Sequence, residues 1–127
     1  MIELIVLDVD GTLTDGKITY SNSGEETKSF DVADGLAIAV WTKKFGKKAA
    51  IITGRSSFVV EKRAKELNIT HLHQGIKNKQ EVLEQILKEE GLDKSHLFTL
   101  ESKPARCTDY VQEKIFAIDF DEKVLGL

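Results

Sequence analysis

The chain has 127 residues, with 18 basic and 21 acidic side chains and a formal net charge of −3. That mild acidity lacks the basic face that nucleic-acid binding requires, and no apolar run approaches the roughly 18 residues that span a bilayer. Neither nucleic acid nor a membrane is therefore an expected partner. The single cysteine, Cys107, has no intramolecular partner, so nothing points to an oxidising compartment. The segment Met1-Ile2-Glu3 lacks the basic start of a secretory signal, and the apolar stretch behind it ends at Asp8. A cytoplasmic protein with one domain over 1–127 is expected, large enough to bury a core without staples.

Leu4-Ile5-Val6-Leu7 is a continuous apolar run, the mark of a strand buried on both faces. Ile18-Thr19-Tyr20 and Lys28-Ser29-Phe30 flank a polar loop and predict a β-hairpin turning at Gly24. Asp34 is the expected cap of a helix burying Leu36, Ala39, Val40 and Trp41 and ending near Gly46. Ala49-Ala50-Ile51-Ile52 predicts a second buried strand. A helix capped by Ser56 or Ser57 follows, with Val59, Val60, Ala64 and Leu67 inward. A short strand is expected at Thr70-His71-Leu72. Lys79 to Glu90 has helical periodicity with Val82, Leu83, Ile86 and Leu87 inward, and Gly91 stops it. His96 to Leu100 and Ile115 to Ile118 complete the strands. Strand and helix alternate, which predicts an α/β fold with a mainly parallel sheet. In such sheets ligands bind beyond the carboxyl ends of the strands.

The first such end carries Asp8-Val9-Asp10-Gly11-Thr12-Leu13-Thr14-Asp15. Two carboxylates at i and i+2 repel unless a cation lies between them. Mg²⁺ suits them, being a hard ion that takes carboxylate and carbonyl oxygens. A carboxylate beside a cation can attack phosphorus, and its neighbour can then move the proton. Gly11 lets backbone amides turn toward phosphoryl oxygens. A plain acidic turn is the alternative for a bare pair of aspartates. At the second strand end, the Thr53 hydroxyl of Thr53-Gly54-Arg55 sits just before a helix, where a phosphoryl oxygen can be held. Before the next helix lies Gln74-Gly75-Ile76-Lys77-Asn78-Lys79, whose lysines could neutralise charge on a transferring phosphoryl group.

The string from Asp8 to Thr14 resembles the first motif of the haloacid dehalogenase superfamily. The resemblance implies Asp8 as nucleophile and metal ligand. It implies Asp10 as general acid/base, with its main-chain carbonyl on the metal. Thr53 matches the phosphate-binding hydroxyl of the second motif, and Lys79, ahead of Lys77, matches the lysine of the third. Thr12, Gly54 and Arg55 are the further expected phosphate or substrate contacts. Only a hairpin and one helix separate the first two motifs, so a three-layer, Rossmann-like fold with a hairpin insertion and no cap is implied.

Within that superfamily, the ordered segments from Asp15 to Lys79 are similar to the 3-deoxy-D-manno-octulosonate 8-phosphate phosphatase family, over residues 2–91. This implies a Mg²⁺-dependent phosphatase of a phosphorylated sugar acid, assembled as a homotetramer through the hairpin. Relatives acting on 9-phosphates of nine-carbon sugar acids give a neighbouring alternative. Residues 92–127 depart from the family. Glu101-Ser102-Lys103-Pro104 stands where a fourth motif rich in aspartate belongs, leaving Glu101 as the expected third acidic metal ligand. Asp119-Phe120-Asp121 lacks the Gly-Thr that should follow a first motif. The departure sets a second function class beside the first, an impaired homologue that serves as an assembly or binding module.

Overall fold

The structure is a computed structural model and describes residues 1–100. The strand expected at Ile115–Ile118, Glu101, and the pair Asp119 and Asp121 lie outside the described residues.

The first apolar run forms β1 (Leu4–Leu7), and all four of its residues are buried. It pairs in parallel on both sides, with β4 (Lys48–Ile52) along one edge and β6 (Leu97–Leu100) along the other. A further parallel strand, β5 (His71–His73), lies outside β4, giving the order β5-β4-β1-β6. Alternation along the strands divides the core in two. Ile5, Leu7, Ala49 and Ile51 join one cluster with Ile38 and Trp41 of the first helical segment and with Val60, Ala64 and Leu67. Leu4, Val6, Ala50 and Ile52 join a second cluster with Ile86 and Leu87. Helices α1 (Val32–Ala39) and α2 (Phe58–Glu66) therefore cover one face, and α3 (Lys79–Glu90) covers the other. The layers are helix, sheet and helix, as expected. Only a hairpin and α1 lie between β1 and β4, so no cap stands over the sheet among the described residues. None of the described helices is long and apolar enough to cross a membrane.

Several local details differ from the sequence reading. The hairpin ladder is short, β2 (Thr19–Tyr20) against β3 (Glu26–Thr27), with Tyr20 opposite Glu26. Gly24, at φ 88°, makes the turn. Lys28 to Phe30 is not its second strand. Lys28 turns inward to two carboxylates, and Phe30 packs on the first core.

The cap of α1 is Asp31, not Asp34. Asp31 is extended (φ −83°, ψ 132°), and its carboxylate accepts hydrogen bonds from the amides of Ala33 and Asp34. Asp34 lies one turn in and is buried. The inward stripe is Asp34, Ala37, Ile38, Trp41 and Thr42, while Leu36 is 60% exposed and Ala39 and Val40 are half-buried. A small side chain and two polar ones thus displace the leucine. The polar Thr42 is tolerated there because its hydroxyl donates to the Leu67 carbonyl at 2.7 Å. The helix continues as a widened π turn over Val40–Lys44. Trp41 is anchored within it by an indole hydrogen bond to the Lys48 carbonyl at 2.7 Å.

Ser57 stands at the start of α2 without capping it through its side chain. Val60, Ala64 and Leu67 are buried as expected, with Val59 half-buried. The strand β5 runs one residue later than predicted. Asn78 caps α3, and Gly91 at φ 68° closes it, the stop the sequence predicts. His96 belongs to a tight turn, so β6 begins at Leu97.

The shifted stripe of α1 sets a direct comparison. Ile38→Ala is expected to cost about 2–5 kcal/mol of unfolding free energy, and Leu36→Ala to stay within about 0.5 kcal/mol of the parent. Urea denaturation of the two variants measures both.

Candidate active site

Parallel pairing aligns the carboxyl ends of β1, β4 and β5, and the loops that leave them meet at one edge. The register places Leu7 opposite Ile51 on one side and Leu100 on the other. Asp8 follows directly, its amide donating to the Leu100 carbonyl at 3.1 Å. The chain then turns tightly, and the Val9 carbonyl accepts from the amides of Thr12, Leu13 and Thr14. Gly11 takes φ 83° in this turn. The buried Thr14 hydroxyl accepts from the amides of Gly11 and Gly16, both at 3.2 Å, and ties the two ends of the loop together. Thr12 is fully buried, and its hydroxyl oxygen has no hydrogen-bond partner among the described residues. Such an atom in a site of this kind is suited to a bound oxyanion.

On the neighbouring strand, Thr53 follows Ile52 and is buried. Its amide donates to the His73 carbonyl and its carbonyl accepts from the Ile76 amide, both at 3.0 Å, which fixes the loop. Gly54 and Arg55 are exposed. Lys79 opens α3 and sends its ammonium to 3.3 Å from Asp8 Oδ1. Lys77, the other candidate, is exposed.

Asp10 is met from the hairpin. Lys28 Nζ lies 2.6 Å from Asp10 Oδ1 and 2.7 Å from Glu26 Oε1. Arg55, expected as a phosphate or substrate contact, reaches the hairpin. Its guanidinium lies 2.5 Å from Glu26 Oε2 and 3.4 Å from the Tyr20 hydroxyl, with Nε 4.0 Å from Asp10 Oδ2. The structure thus gathers Asp8, Asp10, Arg55 and Lys79 through ion pairs, with Thr12, Thr53 and Gly54 on the same loops. Sequence reasoning missed Glu26, Lys28 and Tyr20 as parts of this cluster. The available signal was Glu26 and Lys28 at i and i+2, one face of an extended segment, with opposite charges.

Glu26, Lys28 and Arg55 hold one another ionised. The hydrogen bonds from Lys28 and then Arg55 keep the Glu26 carboxyl below its ordinary value. Burial alone would push the Lys28 ammonium down, but its bonds to Asp10 and Glu26 outweigh that and raise it. The bond to Glu26, then that to Tyr20, raises the Arg55 guanidinium.

No group of three His, Cys, Asp or Glu side chains placed to hold a metal occurs among the described residues. The donors present, the Asp8 carboxylate and the Asp10 main-chain carbonyl, are hard oxygens. They fit an ion that keeps several waters and takes only one or two protein carboxylates, as Mg²⁺ does.

The lowered Glu26 has a pH consequence. Its contribution to stability is complete above the ordinary carboxyl value of 4.5 and is lost as pH falls below that, through the depressed folded value. Glu26→Gln is therefore expected to lower the melting temperature at pH 7. It should also flatten the loss of melting temperature between about pH 5 and pH 3. Thermal denaturation across that range measures it.

No family model matches the chain. A curated 3-deoxy-D-manno-octulosonate 8-phosphate phosphatase of Escherichia coli K12 is 51% identical over 79 residues, 61% of this chain and 41% of that protein. Its counterpart from Yersinia pestis is 46% identical over 78 residues, again 41% of that protein. The chain thus spans less than half the length of these curated relatives. Among solved structures, the phosphatase of the same name from Moraxella catarrhalis, in complex with magnesium ion, phosphate ion and KDO, superposes with a TM-score of 0.82. It is 31% identical, over 98% of this chain and 92% of that one. A probable YrbI family phosphatase from Pseudomonas syringae is 36% identical, over 88% of this chain and 72% of that one, with a TM-score of 0.77. With Asp8, Asp10, Thr53 and Lys79 at the strand ends and helix start, and a solved relative matched along nearly its whole length, the chain belongs to the 3-deoxy-D-manno-octulosonate 8-phosphate phosphatase family of the haloacid dehalogenase superfamily.

Proposed function

We propose that the chain is a phosphomonoesterase that hydrolyses a sugar-acid phosphate, with 3-deoxy-D-manno-octulosonate 8-phosphate as its substrate. The observation that carries this reading is the Lys79 ammonium 3.3 Å from Asp8 Oδ1, at the end of a buried parallel strand. That pairing orients the carboxylate while supplying a cation for the incoming phosphoryl oxygens.

In this reading an Asp8 oxygen attacks phosphorus, and the bond from phosphorus to the sugar oxygen breaks. Asp10 delivers a proton to the departing sugar oxygen. Asp10 then takes a proton from water, which attacks the phosphorus of the aspartyl phosphate. The Asp8–phosphate bond breaks, and inorganic phosphate leaves. The hydroxyls of Thr12 and Thr53 and the loop at Gly54 hold phosphoryl oxygens, and Lys79 balances their charge. Asp8 and the Asp10 carbonyl would hold Mg²⁺, which when bound offsets the negative charge of the carboxylate and phosphate. The Moraxella relative's magnesium and phosphate support this part of the reading.

The proposal extends to a cytoplasmic homotetramer joined through the hairpin. The lone Cys107 supports the compartment. The exposed Ile18 and Tyr20 of the hairpin segment, with Val32 and Leu36 exposed on α1 and Phe58 on α2, support the assembly.

Phosphate release from the 8-phosphate, followed with and without Mg²⁺, tests the function. Turnover is expected only with the metal and is expected to stop on adding EDTA. Asp8→Asn should lose at least about a thousandfold in kcat, and Lys79→Met about a hundredfold or more. Equal turnover in EDTA, or by the Asp8→Asn protein, would refute the reading.

A further inference from the structure

We propose that Lys28 is a positioning residue for the reaction, setting the Asp10 carboxylate through a closed ring of alternating charge. The inference rests on the phosphatase reading for what Asp10 does, and on geometry for what Lys28 does.

The ring runs Asp10, Lys28, Glu26, Arg55 and back to Asp10. Lys28 Nζ sits between Asp10 Oδ1 at 2.6 Å and Glu26 Oε1 at 2.7 Å. The second Glu26 oxygen lies 2.5 Å from Arg55, whose Nε stands 4.0 Å from Asp10 Oδ2. Each Asp10 oxygen thus faces a different cation, one from the hairpin exit and one from the loop after β4. That arrangement limits rotation of the carboxylate about its own bond. The Lys28 side chain is 2% exposed, against 46% for Arg55. Water therefore screens Lys28 least, and its links are the firm part of the ring. Without its ammonium, the Asp10 and Glu26 carboxylates would share a mostly buried gap without the less exposed of the ring's two cations. Asp10 would then lose the contact that fixes its Oδ1 and rotate off its line to the substrate oxygen. A displacement of about 1 Å of a proton-transfer group costs roughly a hundredfold in rate.

The test uses the full chain in four forms: parent, Lys28→Met, Lys28→Arg and the double variant Glu26→Gln/Lys28→Met. For Lys28→Met, kcat for the 8-phosphate is expected to fall about a hundredfold, with KM within about threefold. Lys28→Arg should recover at least about tenfold of that loss. The double variant removes the surplus negative charge, so its melting temperature should return toward the parent while kcat stays low. Amide hydrogen exchange supplies an arm independent of activity. Residues 9–16 and 19–28 are expected to exchange faster in Lys28→Met. A parent protein without Mg²⁺-dependent turnover would refute the phosphatase reading, and exchange alone would then decide the ring. The inference is overturned by a Lys28→Met kcat within about twofold of the parent, by a loss confined to KM, by recovery of kcat in the double variant, or by unchanged exchange.

Discussion

β1 has a hydrogen-bonded neighbour on each side and a hydrophobic cluster on each face, and the site depends on that confinement. A strand so enclosed can present polar chemistry only at its ends. Its partners β4 and β6 run parallel to it, so their carboxyl ends stop at the same level. Asp8 is the first residue past that level, and its amide is still tied to Leu100 at the end of β6. Thr53 emerges at the corresponding point of β4. Lys79 arrives from the helix on the opposite face. The fold therefore brings a carboxylate, a hydroxyl and an ammonium to one edge, the first two by sheet pairing and the third by the packing of α3 on the sheet.

The cost of that placement is charge. Asp8 and Asp10 stand two residues apart at the rim of a low-dielectric core. Cations from separate elements meet each of them, Lys79 from the start of α3 at Asp8 and Lys28 from the hairpin exit at Asp10. The hairpin is thereby part of the site's electrostatics. Glu26 and Tyr20 extend the same network to Arg55. Thr14 does a comparable job for the backbone, joining Gly11 to Gly16 through one hydroxyl.

The parts of this arrangement that could be read from sequence were those with a local signal. An apolar run closed by acids located β1 and Asp8. Helical periodicity and a closing Gly91 bounded α3 and put Lys79 at its start. Asp34 was read as the cap of α1 in place of Asp31, because it stands just before the apolar run that opens at Leu36. Burial of Asp34 and Thr42 was equally hidden, since a polar residue enters a core only where the fold supplies it with partners. Thr42 finds one in the carbonyl of Leu67, 25 residues away. The links of Lys28 to Asp10 and of Arg55 to Glu26 span 18 and 29 residues. No periodicity records such contacts, so Lys28 and Glu26 escaped notice and Arg55 was read as a phosphate or substrate contact without its link to the hairpin.

A crystallographic soak of the full chain with Mg²⁺ and orthovanadate tests the central claim most directly. The account predicts vanadium bonded to an Asp8 carboxylate oxygen, with the Thr53 hydroxyl and Lys79 ammonium on its oxygens and Lys28 still holding Asp10. Vanadate bound away from Asp8, or an Asp8 left bare at saturating Mg²⁺ and vanadate, would contradict it.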